Sequence, residues 1–225
     1  MIETRKVKRR HGMRGWLALG FGLLLAFAGP RALLTEESLA SNGLAGRLLV
    51  AAPHMSDPNF SQTVIYLLRH GPSGALGLVI NRPMGEVPLG RLLDLLKNGD
   101  GARSVPNDSG GSEVGAPLLV FFGGPVEPYR AFTLHSRDVM PEHSVPVDDE
   151  TAYSEQDDVL KALADDAAPK SMIFVLGYAG WGAGQLEGEL DRGDWYVAAA
   201  DPSLVFSAEP GSIWERAVAL FSTEL

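Results

Sequence analysis

The segment SMIFVLGYAGWGAGQLEGEL, residues 171–190, constrains the fold of this chain more than any other stretch. Its continuous apolar run, residues 172–176, has the length of a β-strand and the composition of a strand buried on both faces. Glycines and two large aromatic residues come directly after this run, and a short amphipathic stretch comes after them. We therefore predict a buried strand, a tight glycine-rich turn from residue 177 to 184, and the start of a helix.

Two roles are open for this glycine-rich turn. Glycine permits positive φ and close backbone approach, so the turn can serve packing alone. It can also cradle an anion at the following helix N-terminus, where unpaired N–H groups point outward. The spacing matches neither the G-x-G-x-x-G fingerprint nor a P-loop, which favours packing. A ligand-binding role would use residues of this segment, namely Tyr178, Gly180, Trp181, Gly182, Gln185 and Glu187.

Residues 1–28 have the pattern of a signal peptide. Six basic side chains precede an apolar run over residues 15–28, which is short for a helix that must span a bilayer. The positive-inside rule places the chain after this run outside the cytoplasm. We predict a signal peptide or membrane anchor at 1–28, a linker at 29–45 and a domain at 46–225, exported or anchored in the inner membrane facing the periplasm. The alternative is an unprocessed N-terminal extension on a cytoplasmic protein.

The charge distribution limits the partners of the domain. Residues 1–28 hold six of the 19 basic residues and one of the 28 acidic ones, so 13 basic and 27 acidic residues remain, a net charge of −14. Nucleic-acid binding needs a basic face that displaces counter-ions from phosphates. The domain is therefore predicted not to bind DNA or RNA directly, and basic partners or small ligands fit it better. Contact with a membrane is expected only through the N-terminal segment.

The composition also excludes several chemistries. The chain has no cysteine, which rules out disulfides, thiolate catalysis and cysteine metal sites. No two of the histidines at positions 54, 70, 135 and 143 stand three or four residues apart, so no metal pair forms on one helix. We predict no metal and no cofactor.

Apolar periodicity places the remaining elements along the chain. Strands are predicted at residues 47–51, 62–69, 75–80, 116–122, 129–135 and 195–200, and the second and third of these are expected to pair antiparallel across a loop at residues 70–74. Amphipathic helices are predicted at residues 88–97, 156–164 and 212–220. Residues 98–117 and 136–151 are predicted to be loops.

Four sequence blocks occur in a recognisable order: LLVAAPHMSDPNFSQTVIYLLRH, GALGLVINRP, VFFGGPV and LGYAGWGAGQLEGEL. Together, across residues 46–206, they resemble the AlgH/YqgE family of bacterial proteins. The resemblance implies a single α+β domain with a bent, partly barrel-like, mainly antiparallel β-sheet flanked by helices. It also implies a molecular activity that is not settled for the family. One branch of the family carries the label of a regulator of alginate production. Two features depart from the family pattern: many members lack an export signal and look cytoplasmic, and some carry a cysteine that is absent here.

Two polar or glycine-rich strand ends are further candidates for a site. Asn81 and Arg82 end a predicted strand, and the Arg82 guanidinium can bind a carboxylate or phosphate, or else cap the sheet or pair with one of the many acids. Gly123 and Gly124 end another strand and permit a sharp turn or the approach of a ligand.

Catalytic constellations are poorly supported by the sequence. Ser61, His135 and Asp138 can be combined as a triad, but the chain has no G-x-S-x-G elbow. Glu187 and Glu189 stand two apart and point to different helix faces, so they are a poor acid–base pair.

Two functional hypotheses remain, beside the possibility that all these residues are structural. The first is a non-catalytic binding or regulatory module, acting on a protein partner or a small ligand through strand-end loops. The second is a hydrolase-like enzyme of small substrates, with Arg82 as an oxyanion or carboxylate clamp and His135 or Glu187 as proton carrier. A pocket that brings those three side chains together would favour the enzyme.

Overall fold

The structure, a computed structural model, describes residues 43–97 and 116–222. The predictions for residues 1–28, for most of the linker at 29–45, and for the loop at 98–117 as far as residue 115 lie outside this range. The described strands are β1 (Arg47–Ala51), β2 (Val64–Gly71), β3 (Gly74–Val79), β4 (Pro83–Pro88), β5 (Pro117–Phe122), β6 (Val126–Ser136), β7 (Val145–Pro146), β8 (Thr151–Ser154), β9 (Met172–Trp181) and β10 (Trp195–Ala199). The helices are α1 (Leu89–Lys97), α2 (Asp158–Ala164), α3 (Gln185–Asp191), α4 (Pro202–Val205) and α5 (Ile213–Ser222).

The strands form one curled, mostly antiparallel sheet in the order β10-β1-β2-β3-β9-β6-β8-β7, with β4 paired to β5. Strand β5 runs parallel to β9 and pairs with it next to β3. The sheet curls into a half-barrel with a few helices around it, which confirms the predicted α+β class. Strand β9 lies at its centre, because it pairs with β3, β5 and β6.

For strand β9, the predicted burial is confirmed and the predicted end of the strand is wrong. Residues 173–176 are buried, as predicted for a strand covered on both faces. The turn predicted to begin at Gly177 is wrong, because β9 continues to Trp181 and the turn is confined to residues 182–184. Gly177 has φ of +75° and bends the strand without ending it, since Tyr178 still pairs with Val126 and Trp181 with Ala75.

The glycine pair at the end of β5 explains how the chain passes from one side of β9 to the other. The N–H of Gly123 donates to the carbonyl of Leu176. A Cβ at Gly124, whose φ is +148°, would lie 2.2 Å from the carbonyl carbon of Tyr178. Only glycine allows this approach, after which β6 pairs on the far side of β9. The pair therefore serves backbone packing.

Several short elements were not predicted from the sequence. Strand β4 carries proline at both ends and is largely exposed, so it lacks the alternation that marks a strand. Strands β7 and β8, within or next to the predicted loop at 136–151, have only two and four residues. The predicted five-residue loop between β2 and β3 is shorter, because Gly71 pairs with Gly74 across two turn residues.

Helices cover the sheet through the apolar faces that the sequence indicated. Leu89 and Leu92 of α1 and Leu160 of α2 pack with Val120 and Phe174. Helix α5 buries Ile213 and Ala217 against the sheet, and helix α3 buries Leu186 on the opposite face. Across the described residues, no helix combines the length and the apolarity that crossing a bilayer requires.

Candidate functional site

A cleft lies where the β2–β3 hairpin meets the end of β9. Its volume is about 630 Å³, and we call it the hairpin cleft. It is lined by residues 69–71, 73–76, 126, 178 and 180–182. Four residues singled out from the sequence therefore meet here: Tyr178, Gly180, Trp181 and Gly182.

The depth of the hairpin cleft comes from missing side chains on its floor. Gly180 and Gly182 alternate with Trp181 along the strand end, so two successive positions on the cleft side carry no side chain. A Cβ at Gly180 would lie 3.2 Å from the ring of Tyr178 and 3.8 Å from Val126. A side chain at this position would therefore extend into the cleft, towards Tyr178 and Val126.

The charge of the hairpin cleft differs from that of the domain around it. No aspartate or glutamate is found among its lining residues, and Arg69 lines it with an exposed side chain. Within residues 43–97 and 116–222, the Arg69 guanidinium makes no hydrogen bond or ion pair. In a chain whose residues 29–225 carry a net charge of −14, this leaves a cation without a counter-ion, among the described residues, at the edge of a cavity.

Irregular backbone frames the hairpin cleft on two sides. The β2–β3 ladder shifts register between Leu67 and Arg69, and the β6–β9 ladder shifts between Val126 and Ala131. Inside the second bulge, Glu127 has a φ of +42°, which is uncommon for a residue with a side chain. Bulges and strained residues are enriched beside functional sites, because they redirect side chains away from the regular pleat.

Polar contacts fix the position of the Tyr178 side chain, which lines the hairpin cleft. Its hydroxyl donates to Glu127 Oε1 over 3.0 Å, and the Arg130 guanidinium lies 5.5 Å from the centre of its ring. Arg130 also donates to Glu155. Burial, followed by the bond to Glu127, raises the pKa of Tyr178, so its phenol is neutral and donates a proton.

His70 joins the hairpin cleft to helix α3. Its Nδ1 accepts the backbone N–H of Leu44 at 3.2 Å, which leaves the proton on Nε2. Nε2 then donates to Glu187 Oε1 at 3.0 Å. Glu187 therefore orients the histidine and lies outside the lining of the cleft.

A second cleft, of about 390 Å³, shares Gly180 and Trp181 with the first. We call it the acidic cleft, because Asp57, Glu189 and Asp194 line it. Glu189 Oε2 accepts the indole N–H groups of Trp181 and Trp195, both at 2.8 Å, and Oε1 accepts the side-chain amide of Gln185 at 3.0 Å. The two glutamates of α3 thus bond different partners on different sides of the helix, as their spacing predicted.

Asn81 and Arg82 are held in contacts with the backbone. The Asn81 amide accepts the N–H of Val64 and donates to the carbonyl of Gln62, both at 2.9 Å. The Arg82 guanidinium donates to three carbonyls in the loop that precedes β2, those of Pro58, Asn59 and Ser61. Both residues therefore fasten this loop to the end of β3, and neither lines the hairpin cleft.

His135 is fully buried and bonded at both ring nitrogens. Nδ1 donates to the carbonyl of Ser136 at 2.9 Å, and Nε2 accepts the hydroxyl of Ser144 at 2.8 Å. Burial lowers its pKa, so the ring is neutral. Asp138 instead accepts from Ser136, so the Ser61–His135–Asp138 combination forms no triad.

The structure thus gives the three side chains of the enzyme hypothesis, Arg82, His135 and Glu187, three separate sets of partners. Gln185 lines the acidic cleft and accepts the N–H of Gly182 through Oε1. In the described part of the chain, no group of three histidine, aspartate or glutamate side chains could hold a metal ion. Arg69 was missed, because the sequence does not show which basic residues line a cleft without an acidic partner.

Comparison with known proteins adds the family. A profile described as AlgH-like matches residues 48–225. The chain belongs to the AlgH-like family. Among relatives, a UPF0301 protein of Jannaschia sp. (strain CCS1) is 41% identical over 180 residues, covering 79% of this chain and 88% of that protein. A UPF0301 protein of Methylocella silvestris is 42% identical over 179 residues, covering 78% and 84%.

Solved structures agree with this AlgH-like fold. The solution structure of AlgH from Pseudomonas aeruginosa matches with a TM-score of 0.61 at 39% identity, covering 78% of this chain and 87% of that one. A crystal structure of a Corynebacterium diphtheriae protein, 21% identical with a TM-score of 0.58, supports the fold alone. The family resemblance predicted from the four sequence blocks is confirmed.

Proposed function

We propose that this AlgH-like protein is a non-catalytic binding module whose ligand or protein partner occupies the hairpin cleft. The observation that carries the proposal is a cavity of about 630 Å³ with a glycine floor, lined by an exposed arginine that has no partner among the described residues. A cavity of this size falls in the range typical of small-molecule sites. The two bulges and the strained Glu127 beside it support the same location.

The arrangement of the polar side chains favours binding over catalysis. General acid–base catalysis needs a titrating group within hydrogen-bond reach of the substrate. In the hairpin cleft, His70 uses both ring nitrogens to bond Leu44 and Glu187, and the raised pKa of Tyr178 keeps its phenol neutral. Arg69, with its permanent charge, is suited to binding and unsuited to proton transfer.

Filling the floor of the cleft tests the proposal. We expect the full-length protein to give saturable amide chemical-shift changes in residues 69–76 and 178–182 when screened by NMR against a fragment library. Gly180→Val should abolish these changes and leave the fold intact, because Gly180 is exposed, its φ lies outside the positive range, and the atom nearest to an added Cβ is on a side chain, at 3.2 Å, and not on the backbone. Gly211→Val is the matched control, since a Cβ there meets nothing within 4 Å and lies outside the cleft.

Two results would contradict this proposal. Fragments that shift the same amides equally in Gly180→Val would mean that the cleft is not the site. Fragments recovered from the protein in a chemically altered form, detected by mass spectrometry, would overturn the non-catalytic part and favour the enzyme.

The proposal also excludes direct DNA binding by the domain. It is supported by the net charge of −14 outside residues 1–28, which repels phosphates. We expect no mobility shift of duplex DNA at low salt with a variant that lacks residues 1–28. A shift that disappears on adding salt would contradict this part.

We further propose that the protein is exported or anchored to face the periplasm, on the strength of the basic and apolar pattern of residues 1–28. Cell fractionation with intact-mass analysis should find a periplasmic or membrane-bound product, and cleavage would leave an N-terminus near residue 29. A full-length cytoplasmic product would overturn this proposal without touching the binding site.

A further inference from the structure

We infer that the hairpin cleft binds ligands through an anionic head group, a carboxylate or a phosphate, held by Arg69. The inference rests on the binding function proposed above and adds the ligand class. The shared chemistry is a pair of anionic oxygens that can accept two parallel N–H bonds from a guanidinium.

The first step of the argument is the isolation of Arg69. Arg130, which lies over the ring of Tyr178, has counter-ions: it donates to Glu155 at 2.9 Å through Nε and lies 3.5 Å from Glu127. Arg69 has no such partner among the described residues, although 27 acids lie outside residues 1–28. Its charge acts on the buried Tyr153, where it partly offsets the rise in pKa caused by burial.

The second step concerns the acids that surround the cleft. Glu187, the acid of α3 on this side, is bonded to His70, and Glu127 is bonded to the hydroxyl of Tyr178. Both carboxylates therefore have donors of their own, and no acid is found among the described residues that line the cavity. An incoming anion meets the Arg69 cation inside the cleft, whereas the acidic cleft on the other side of Trp181 would repel it.

The third step is the apolar wall. Leu76, Val126 and the ring of Tyr178 line the cleft beside the glycine floor. They offer contact area to an apolar or aromatic body attached to the anionic group, and the missing side chain at Gly180 gives that body room. A ligand with an anionic head and a ring or short alkyl body uses both features.

Four small probes of one shape and different charge test this inference on the full-length protein. Benzoate and phenyl phosphate carry the two anionic heads, benzamide is neutral and benzylamine is cationic. We expect benzoate, phenyl phosphate or both to give saturable amide shifts in residues 69–76 and 178–182, and the stronger of the two identifies the head group. Benzamide and benzylamine should bind at least about tenfold more weakly.

Substitutions of Arg69 test whether its guanidinium determines the affinity for the anionic probes. Arg69→Gln should weaken the anionic probes about tenfold, and Arg69→Lys should weaken them less, because the charge remains but the bidentate geometry is lost. Arg47→Gln is the matched control, since it removes an exposed positive charge from the start of β1, outside the cleft.

The outcomes separate this inference from the binding function. If benzamide or benzylamine binds as tightly as the anions, or if Arg69→Gln changes nothing, the head-group assignment is wrong while the cleft remains a binding site. If no probe of any charge shifts these amides, the head-group assignment is also overturned. If, in addition, the fragment screen gives no response that Gly180→Val removes, the binding function fails with it.

Discussion

The two clefts on either side of Trp181 have opposite internal organisation. In the acidic cleft the polar side chains satisfy one another: Glu189 accepts three donors, and Arg192 donates to Asp194 at 2.7 Å. In the hairpin cleft Arg69 has no partner among the described residues and the floor has no side chains. Mutually satisfied groups hold elements together, whereas an unsatisfied cation beside an open cavity is available to a ligand.

The two glutamates of helix α3 show the same contrast. Glu187 and Glu189 are two residues apart, yet Glu187, itself half exposed, bonds the side chain of His70, and Glu189 bonds two nearly buried indoles. Glu189 therefore contributes to stability, and Glu187 contributes to the position of His70. Four predictions test this division, in order of decreasing effect.

The largest effect is expected at Gly123 and Gly124, where the chain passes from β5 on one edge of β9 to β6 on the other edge. The arrangement of β9, whose end lines both clefts, depends on this connection. Gly124→Ala should lower the free energy of unfolding by about 4 kcal/mol or prevent folding, since its Cβ would overlap the backbone of Tyr178 at a φ of +148°. Gly180→Ala, in the adjacent strand β9, should lower the free energy of unfolding by less than about 1 kcal/mol. Urea denaturation followed by tryptophan fluorescence measures both, and equal effects would contradict the described crossing.

Removing the carboxylate of the acidic cleft should have the next largest effect. Glu189→Ala leaves the indole N–H groups of Trp181 and Trp195 without an acceptor in a nearly buried position, at a cost of about 3 kcal/mol. The matched variant Glu187→Ala should cost less than about 1 kcal/mol, because the Glu187 carboxylate is itself half exposed and solvent screens its bond to His70. If the Glu189→Ala protein is as stable as the Glu187→Ala protein, the bonds from Glu189 to the two indoles do not stabilise the fold.

A smaller effect concerns pH and arises outside both clefts. Burial lowers the pKa of His135, so the unfolded chain binds a proton below about pH 6.5 that the folded protein does not. Stability is therefore full above that pH and should fall by about 1 kcal/mol between pH 7 and pH 5.5.

NMR titration of the ring signals of His135 provides the direct check on this pH effect. They should show the neutral, Nδ1-protonated form at pH 6, and a pKa at or above 6.5 would contradict the prediction.

The smallest effect on stability is expected at the residue proposed to matter most for binding. Arg69→Gln should change the free energy of unfolding by less than about 0.5 kcal/mol, because the side chain is exposed and makes no bond within the described residues. Thermal unfolding of the variant beside Arg47→Gln measures this. A clear loss of stability in Arg69→Gln alone would assign the arginine a structural role and undermine the contrast between the clefts.

Local patterns were sufficient for the regular elements of the fold. The strand at residues 47–51 was predicted with its observed limits, and the apolar residues Leu89, Leu92, Val159 and Leu160 face the core as their helical spacing indicated. Short elements such as β4 and β8 escaped prediction, because their pairing partners, and not their own composition, make them strands.

The candidate site was predicted only in part, for a related reason. Tyr178, Gly180, Trp181 and Gly182 were singled out because glycines and large rings alternate in one segment, and all four line the hairpin cleft. Asn81, Arg82, Gly123 and Gly124 were singled out by the same logic, but their bonds and close contacts are with the backbone of neighbouring strands and loops.

The sequence by itself determined the family, the absence of cysteine chemistry, the acidic charge of the domain and the central buried strand, because each depends on composition or on local order along the chain. The tertiary structure alone decided which glycines form a floor and which let strands cross, and that Arg69 lines the cleft without an acidic partner among the described residues. Those properties depend on distances between residues that are far apart in the sequence: Arg69 and Gly180 meet only because β3 pairs with β9.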